Sequence, residues 1–239
     1  MLYWYPKLEE LDVNTPETVF VDLDKDEDGF GDCPCDWDND KVRDAAEEVG
    51  GAPVFVRTDH ASNKHFMGRA SRLPDLEDET IDSHIFEVIC HNEMAGFVGL
   101  PYKVLAVREW LDLLYHFKAF DDCPIAREIR FFIRDGNVLC SHFYWPKEAI
   151  KFYGDTEEPD DWETLYDLLV AGTYLEEPEQ MAETVAEAFN GFWSVDLAQT
   201  EDGDWYVIDM AKGEKSWHPD CKHKPEREVV RNSEVEKDE

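Results

Sequence analysis

The sequence has few cationic residues and no long apolar run. Its 239 residues include 23 Lys and Arg against 56 Asp and Glu, which gives a formal net charge of −33 at pH 7. Because phosphate repels such a charge, we expect no general binding to a nucleic-acid backbone. No apolar run reaches the roughly 18 residues of a membrane helix, and the chain does not open with a basic-then-apolar signal segment. These absences predict a soluble, cytoplasmic protein without a membrane partner.

The apolar content is nevertheless sufficient for a folded core. Apolar residues make up 43% of the chain and aromatic residues 13%. This composition excludes a disordered acidic chain, which would lack aromatic residues. The acidity itself has two general explanations, salt adaptation and solubility, and the sequence does not choose between them.

Cysteine is sparse, and its spacing does not resemble a compact disulfide framework, so free thiols are the expectation. Cys33 and Cys35 form one close pair, and His218, Cys221 and His223 form a second group of possible metal ligands. Together the two groups could hold zinc, although neither has the usual CxxC spacing. The alternative is a set of scattered structural thiols.

Secondary-structure patterning indicates an α+β chain. An Asp-Gly turn at 135–136 joins two strand-like runs at 126–134 and 137–144, a strong hairpin signal. A second hairpin is predicted from 192–197 and 204–210. Further strands are predicted at 18–22, 52–57 and 103–111, and helices at 39–49, 78–95, 146–153, 161–170 and 178–190. The order is not a regular βαβ series.

In so acidic a chain, cations close to strands are informative. Arg57 and Lys64 flank a polar loop that follows a strand, and Arg130 lies inside a strand, on the same face as Glu128. A charge on a strand face must be paired or must meet a ligand. Two interpretations are open: a structural salt bridge of Glu128 with Arg130 or Arg127, or a cleft that binds a ligand.

The second hairpin carries two acids, Asp196 and Asp209, each embedded in an apolar strand. On paired strands they would repel each other unless a cation lay between them. Mg²⁺ bound by carboxylates and substrate phosphates meets this need. Lys212 and Lys215 follow directly and could neutralise the acids instead.

An Asp-rich segment resembles the first half of a calcium-binding loop, with carboxylates at alternate positions before a glycine. Its candidate Ca²⁺ ligands are Asp24, Asp26, Asp28 and Asp32. Cys35 stands where the bidentate Glu of such a loop is expected. The pattern is also similar to the calcium repeats of thrombospondin type 3, and the alternative is a solvated acidic loop.

Four segments in order carry a family resemblance: PVFVRTDHASNKH at 53–65, VREWLD at 107–112, PIAREIRFFI at 124–133, and WSVD at 193–196 with VIDMAKG at 207–213. Together they resemble the ATP-grasp superfamily, in particular small phage and prokaryotic members related to the translation-initiation-factor assembly chaperones. The resemblance implies the ATP-grasp fold, with two α+β lobes and antiparallel hairpins that enclose an ATP cleft. It divides the chain into an N-terminal segment at 1–50, lobes at 51–100 and 101–218, and a charged tail at 219–239 that we expect to be disordered.

The same resemblance implies roles for individual residues. The nucleotide-binding residues it implies are Arg57 and Lys64 at the phosphates, Glu109, Trp110 and Leu111 at adenine, Asp112 at the ribose, and Glu128. Arg130 is expected at the transferred phosphate, with Lys212 as a second catalytic residue, and Asp196 and Asp209 at Mg²⁺. Cations and a metal ion offset phosphate charge during phosphoryl transfer, so the physics agrees with these roles.

The chain departs from the family pattern at three positions. Arg57 replaces the usual Lys, and Asp209 replaces the commoner Glu. Ala211 stands where such sites usually carry Asn, which either removes a second Mg²⁺ or leaves its coordination to water or Asp196. The reduced N-terminal segment means that the substrate does not carry over from the larger members.

The resemblance implies an ATP-dependent ligase that activates a carboxylate as an acyl phosphate and joins it to an amine or related nucleophile. Its acid, amine or protein substrate is not set by the sequence, and its location would be the cytoplasm of a prokaryotic or virus-infected cell. Two alternatives stay open: a non-catalytic ATP-binding assembly chaperone and a calcium-stabilised acidic binding protein.

Overall fold

The computed structural model describes residues 1–23, 37–62, 64, 70–96, 102–120, 123–153 and 159–224. The strands are β1 (Thr18–Asp22), β2 (Val54–Thr58), β3 (Arg72–Leu73), β4 (Val104–Glu109), β5 (Tyr115–Ala119), β6 (Cys123–Ala126), β7 (Glu128–Arg134), β8 (Asn137–Phe143), β9 (Phe192–Gln199) and β10 (Trp205–Lys212). The helices are α1 (Tyr5–Leu8), α2 (Asn39–Glu48), α3 (Asp78–Gly96), α4 (Lys147–Tyr153), α5 (Trp162–Ala171) and α6 (Glu176–Ala188). Among the described residues, no helix is both long and apolar enough to cross a bilayer.

The first sheet has the strand order β1-β4-β2-β3, with antiparallel neighbours. Helices α2 and α3 cover one face, where isoleucines of α3 such as Ile81 and Ile85 join Val54, Val56 and Val107 in a buried cluster. Ala106, which follows Leu105 on β4, belongs to a different cluster beneath the second sheet. Strand β4 therefore lies where the two halves of the molecule meet.

The second sheet has the order β10-β9-β7-β8 and is also antiparallel. Its apolar face, with Ile129 and Phe131 of β7 and Val195 of β9, packs against Val185 of α6. Because strand side chains alternate, the opposite face carries the polar residues of β7 and β9. A β-bulge between Val207 and Asp209 interrupts the β9–β10 ladder.

A small hairpin of β5 and β6 completes the fold. Its Phe117 and Ile125 form a third buried cluster with Trp145, Ile150 of α4 and Leu169 of α5. This hairpin closes one side of the space between the two larger sheets.

The structure confirms the α+β class and the two predicted hairpins, with shifts at their ends. The first sheet takes β1 from before residue 51 and β4 from after residue 100, so it crosses both predicted domain boundaries. Strand pairing between distant segments leaves no mark in local composition, which is why these boundaries could not reveal it. The predicted calcium ligands and the first cysteine pair lie outside the described residues, as do 225–239 of the predicted tail: Asp24, Asp26, Asp28, Asp32, Cys33 and Cys35.

Candidate functional site

A cavity of about 520 Å³ lies between the first sheet, the second sheet and the β5–β6 hairpin. This volume is within the range of roughly 300–1,000 Å³ that is usual for small-molecule sites. Its cationic lining residues are Arg57, Lys64, Arg72, Arg108 and Lys118. Its acidic lining residues are Glu109, Asp112, Glu128, Glu201 and Asp209. The formal charges of the lining therefore balance, although the whole chain carries −33.

Arg57 projects from β2 into the cavity and pairs with an acid from the second sheet. Its guanidinium Nη1 lies 2.9 Å from Asp209 Oδ1, and only 5% of the Arg57 side chain is exposed. Burial alone would raise the pKa of Asp209, but Arg57, and after it Arg108, outweigh burial and lower that pKa. Asp209 is therefore ionised at neutral pH and joins the two sheets through Arg57.

Arg108 on β4 is a second buried cation in the cavity wall. Its Nη1 donates to the carbonyl of Ile208 at 2.7 Å and its Nε donates to Thr18 Oγ1 at 3.1 Å. Ile208 is the residue that the β10 bulge leaves outside the ladder, so its carbonyl can accept this bond. Burial, and then the charge of Arg57, lower the pKa of Arg108 to about 10.

The third nitrogen of this guanidinium, Nη2, is buried and has no hydrogen-bond partner among the residues that the structure describes. A buried donor without an acceptor costs about 1–3 kcal/mol. An anionic ligand close to Arg108 would supply the missing acceptor and would reduce the repulsion between Arg108 and Arg57. The sequence segment VREWLD contains Arg108, but its role was missed; an arginine inside the apolar strand 104–107 was the available signal.

Lys64 and Glu128 form a second pair that bridges the two sheets. The ammonium Nζ of Lys64 lies 3.1 Å from Glu128 Oε1 and 3.5 Å from the ring centroid of Tyr144. Burial raises the pKa of Glu128 to about 7, although Lys64 acts in the opposite direction. Burial disfavours the charged form of Lys64, but Glu128 and Tyr144 outweigh it and raise the lysine pKa.

This partner corrects one interpretation of the sequence. Glu128 does not form the predicted salt bridge with Arg130 or Arg127, since its ion pair in the described structure is with Lys64. Arg127 donates to Gln199 Oε1 at 2.9 Å instead. The physical reason is that Lys64 approaches from a distant segment of the chain, which local strand alternation cannot show.

Arg130 and Asp196 form a third pair on adjacent strands of the second sheet. Nε and Nη2 of Arg130 each donate to one Asp196 oxygen at 2.7 Å, a two-bond geometry that is strong for arginine and carboxylate. Burial opposes ionisation of Arg130, but the charge and hydrogen bonds of Asp196 outweigh it and raise the pKa of Arg130. The remaining nitrogen, Nη1, donates to the carbonyl of Trp217 at 3.3 Å. Neither Arg130 nor Asp196 is among the residues that line the cavity.

The two predicted metal ligands lie opposite each other. Asp209 on β10 pairs in register with Asp196 on β9, immediately after the bulge. The cations beside them are Arg57 and Arg130, and not the expected Lys212. The Nζ atom of Lys212 lies 3.6 Å from the ring centroid of Trp193, and Lys212 is not among the described cavity-lining residues.

All four residues predicted at adenine and ribose line the cavity: Glu109, Trp110, Leu111 and Asp112. They form the segment that leaves β4 toward β5. The indole Nε1 of Trp110 donates to Asp112 Oδ1 at 3.1 Å, and the guanidinium of Arg72 lies 5.3 Å from the Trp110 ring centroid. This segment provides an apolar and aromatic wall opposite the cations.

Several solved structures have a similar shape at low sequence identity. A RimK-domain ATP-grasp protein from Sphaerobacter thermophilus shares 13% identity, with 89% of this chain and 57% of that chain covered and a TM-score of 0.43. An N5-carboxyaminoimidazole synthase from Aspergillus clavatus, solved with ADP and 5-aminoimidazole ribonucleotide, shares 11%, with 86% and 42% covered and a TM-score of 0.46. Cdc123 from Schizosaccharomyces pombe shares 15%, with 87% and 81% covered and a TM-score of 0.47. The chain thus spans about half the length of the first two proteins.

No curated protein sequence matches the chain. A family model does match it, however, over residues 48–232, which is well over half of its length. That model describes an ATP-grasp domain, the third family of one clade within the superfamily, and the matched range contains all four sequence segments that carry the resemblance. The chain belongs to this family of ATP-grasp domains.

Proposed function

We propose that the cavity binds Mg-ATP and that the protein is an ATP-dependent ligase, which joins a carboxylate to an amine or a related nucleophile. The observation that carries the proposal is the convergence of Arg57, Lys64 and Arg108 on one cavity of an ATP-grasp domain. In a chain with a net charge of −33, three largely buried cations at one place require a compensating anion. A triphosphate has the charge and the acceptor oxygens to fill that need.

The three ion pairs suggest how the site stays neutral before nucleotide binds. Each proposed phosphate ligand is held by a carboxylate: Arg57 by Asp209, Lys64 by Glu128 and Arg130 by Asp196. Mg-ATP contains both anionic oxygens and a dication. Phosphate oxygens can therefore take the place of a carboxylate beside each cation, and Mg²⁺ can take the place of a cation beside Asp196 and Asp209. Neither state leaves a buried charge without a partner.

The donors that are present fit Mg²⁺, which prefers carboxylate oxygens together with substrate phosphates and water. Asp209 lines the cavity and would be the first ligand. Asp196 would follow once Arg130 turns toward the phosphate. Ala211 adds no oxygen donor, so water would complete the coordination.

The other side of the cavity suits the nucleoside. The segment Glu109–Leu111 would meet adenine with its backbone groups, and Asp112 would accept from the ribose hydroxyls. Trp110 and Phe55 give this wall apolar area, which is the usual lining of such pockets. The arrangement places the base and the phosphates at opposite walls of one cavity.

The proposed reaction proceeds in two steps. A substrate carboxylate oxygen attacks the γ-phosphorus of ATP, and the bond to the β-phosphate oxygen breaks, which gives an acyl phosphate and ADP. The amine then attacks the acyl carbon, loses a proton and displaces inorganic phosphate. Arg130 would stabilise the charge of the transferred phosphoryl group, a purely electrostatic contribution.

The test is the release of ADP and phosphate from Mg-ATP in the presence of a panel of amino acids and short peptides as acids and amines. We expect release that requires both an acid and an amine and that is lost in Arg130→Gln. The matched control is Arg134→Gln, on the same strand but with an exposed side chain. Binding of ATP without turnover over the whole panel, with co-purification of one partner protein, would contradict the ligase and leave the chaperone alternative.

A further inference from the structure

A second cluster of reactive side chains lies on the β7–β8 hairpin, apart from the residues that line the cavity. Cys140 and His142, two residues apart on β8, share one face of the strand, and His218 and Cys221 reach them from the segment after β10. One potential ligand atom from each residue lies within 4.8 Å of the others. The predicted zinc group is thus half correct, since Cys140 and His142 take the places expected for Cys33 and Cys35.

The distances are close to those of a tetrahedral site. Cys140 Sγ lies 3.4 Å from His218 Nε2, and Cys221 Sγ lies 4.0 Å from the same nitrogen. Zinc bonds of about 2.3 Å to sulfur and 2.0–2.1 Å to nitrogen place neighbouring ligand atoms about 3.3–3.8 Å apart. The widest pair therefore has to close by roughly 1 Å when a metal ion enters.

The hydrogen bonds orient the ring nitrogens for a metal. His218 Nδ1 lies 2.7 Å from the carbonyl of Pro219, and because a carbonyl only accepts, Nδ1 carries the proton. The Nε2 lone pair then faces the two sulfurs, the arrangement of metal-binding histidines whose other nitrogen donates to a carbonyl. His142 Nε2 is buried and has no hydrogen-bond partner among the described residues. A metal ion would give this nitrogen its partner.

The surroundings of Cys221 also favour a bound metal. The backbone N–H of His223 donates to Cys221 Sγ at 3.4 Å, a contact that stabilises a thiolate. His223 itself is not a member of the cluster, although the sequence suggested it as a ligand.

We propose that Cys140, His142, His218 and Cys221 bind one Zn²⁺ ion in a closed, structural site. Two sulfur and two imidazole ligands in tetrahedral reach are typical of zinc, and four protein ligands leave no position for a substrate. The ion fastens the segment after β10 to the edge strand β8. Because Trp217 in this segment accepts a hydrogen bond from Arg130, the ion also positions that arginine.

The direct test is elemental analysis and native mass spectrometry of the purified full-length chain, followed by replacement of zinc with Co²⁺. We expect one zinc per chain, and a cobalt form with the intense visible bands and sulfur-to-cobalt charge transfer of tetrahedral thiolate coordination. These measurements use the unmutated protein and no nucleotide. Their failure is therefore distinct from a failure of the proposed ATP site.

Variants then identify the ligands. We expect Cys140→Ser and Cys221→Ser to lower zinc affinity at least about tenfold, because even outer partners of a ligand are worth 10–100-fold. Two matched controls lie outside the cluster: Cys90→Ser for a cysteine, and His223→Ala for a histidine that contributes only its backbone N–H. Both should retain the full zinc content.

Three results would overturn the proposal. The first is a metal-free protein that takes up no Zn²⁺ or Co²⁺. The second is a Cys140–Cys221 disulfide, seen as a mass lower by two hydrogens. The third is zinc loss in Cys90→Ser or His223→Ala equal to the loss in the cluster variants.

Discussion

Asp209 lies directly opposite Asp196 across the β9–β10 pair, and each carboxylate is held by an arginine from a different sheet. Arg57 reaches Asp209 from the first sheet, and Arg130 reaches Asp196 from the neighbouring strand of the second. Two acids in register on paired strands would otherwise repel each other. The hairpin therefore depends on compensation by cations, and in our account those cations are shared with the phosphates of ATP.

The Arg130–Asp196 pair contributes to stability as well as to the proposed chemistry. Only 14% of the Arg130 side chain and 5% of the Asp196 side chain are exposed. Asp196→Ala should lower the free energy of unfolding by about 3–5 kcal/mol, because Arg130 is left buried without a carboxylate. Asp209→Ala should cost less, since 31% of that side chain is exposed. Urea unfolding of both variants measures the difference, and equal losses would contradict this ranking.

Arg108 gives a second prediction, which concerns binding. Its Nη2 has no acceptor among the described residues and is expected to gain one from the nucleotide. Hydrogen bonds to charged groups are worth about 1.5–3 kcal/mol, so Arg108→Met should weaken Mg-ATP binding at least about tenfold. Arg134→Met, an exposed arginine outside the cavity, should bind normally. Unchanged affinity in Arg108→Met would remove this residue from the site.

The pH dependence of nucleotide affinity follows from Glu128. Its pKa in the folded protein is about 7, against an ordinary value of 4.5, because burial disfavours its charge. Below that pKa the carboxyl is neutral and Lys64 is released for phosphate. Affinity for Mg-ATP should therefore be highest below about pH 7 and should fall as pH rises, by at most about tenfold per pH unit. Glu128→Gln should be insensitive to pH, and a slope retained in this variant would assign the effect to another group.

The same shift has a consequence for folding stability, and its sign is fixed by linkage. A carboxyl whose pKa is higher in the folded state binds more protons when folded. Its contribution therefore becomes less favourable as pH rises from 4.5 to about 7 and is constant beyond. The raised pKa of Lys64 acts in favour of folding throughout this window, because the lysine is charged in both states. Unfolding curves of the wild type and Glu128→Gln across this range isolate the contribution of Glu128.

The zinc site predicts a stability effect that is independent of nucleotide. Removal of zinc by a chelator should lower the melting temperature, because an ion that binds only the folded state stabilises it by mass action. Zinc added back should restore the melting temperature, and Cys221→Ser should melt at the lower value with or without chelator. Recovery with calcium alone, or an unchanged melting curve after complete zinc removal, would contradict a structural zinc site.

Local patterns in the sequence were sufficient for the hairpins and for the charged face of β7. The Asp135-Gly136 turn joins two strands as predicted, with both of its residues at positive φ. Alternation along β7 correctly separated Glu128 and Arg130 from the apolar face. The register of Asp196 with Asp209 also follows from a short hairpin, in which the turn fixes which residues lie opposite.

What the sequence could not give are contacts between distant segments. Lys64 pairs with Glu128 across 64 positions, and Cys140 meets His218 across 78. These approaches depend on how the two sheets face each other and on the path of the chain after β10. The role of Arg108 was missed for the same reason, because its value lies in a bulge on another sheet.

The central claim is that the cavity between the two sheets binds Mg-ATP through cations that carboxylates hold beforehand. Calorimetric titration of Mg-ATP into the wild type, Arg57→Gln and Arg134→Gln tests it most directly. The account predicts one nucleotide per chain for the wild type and Arg134→Gln, and a loss of at least about tenfold in affinity for Arg57→Gln. No binding heat in the wild type at any temperature tried, or equal affinity in all three proteins, would contradict it.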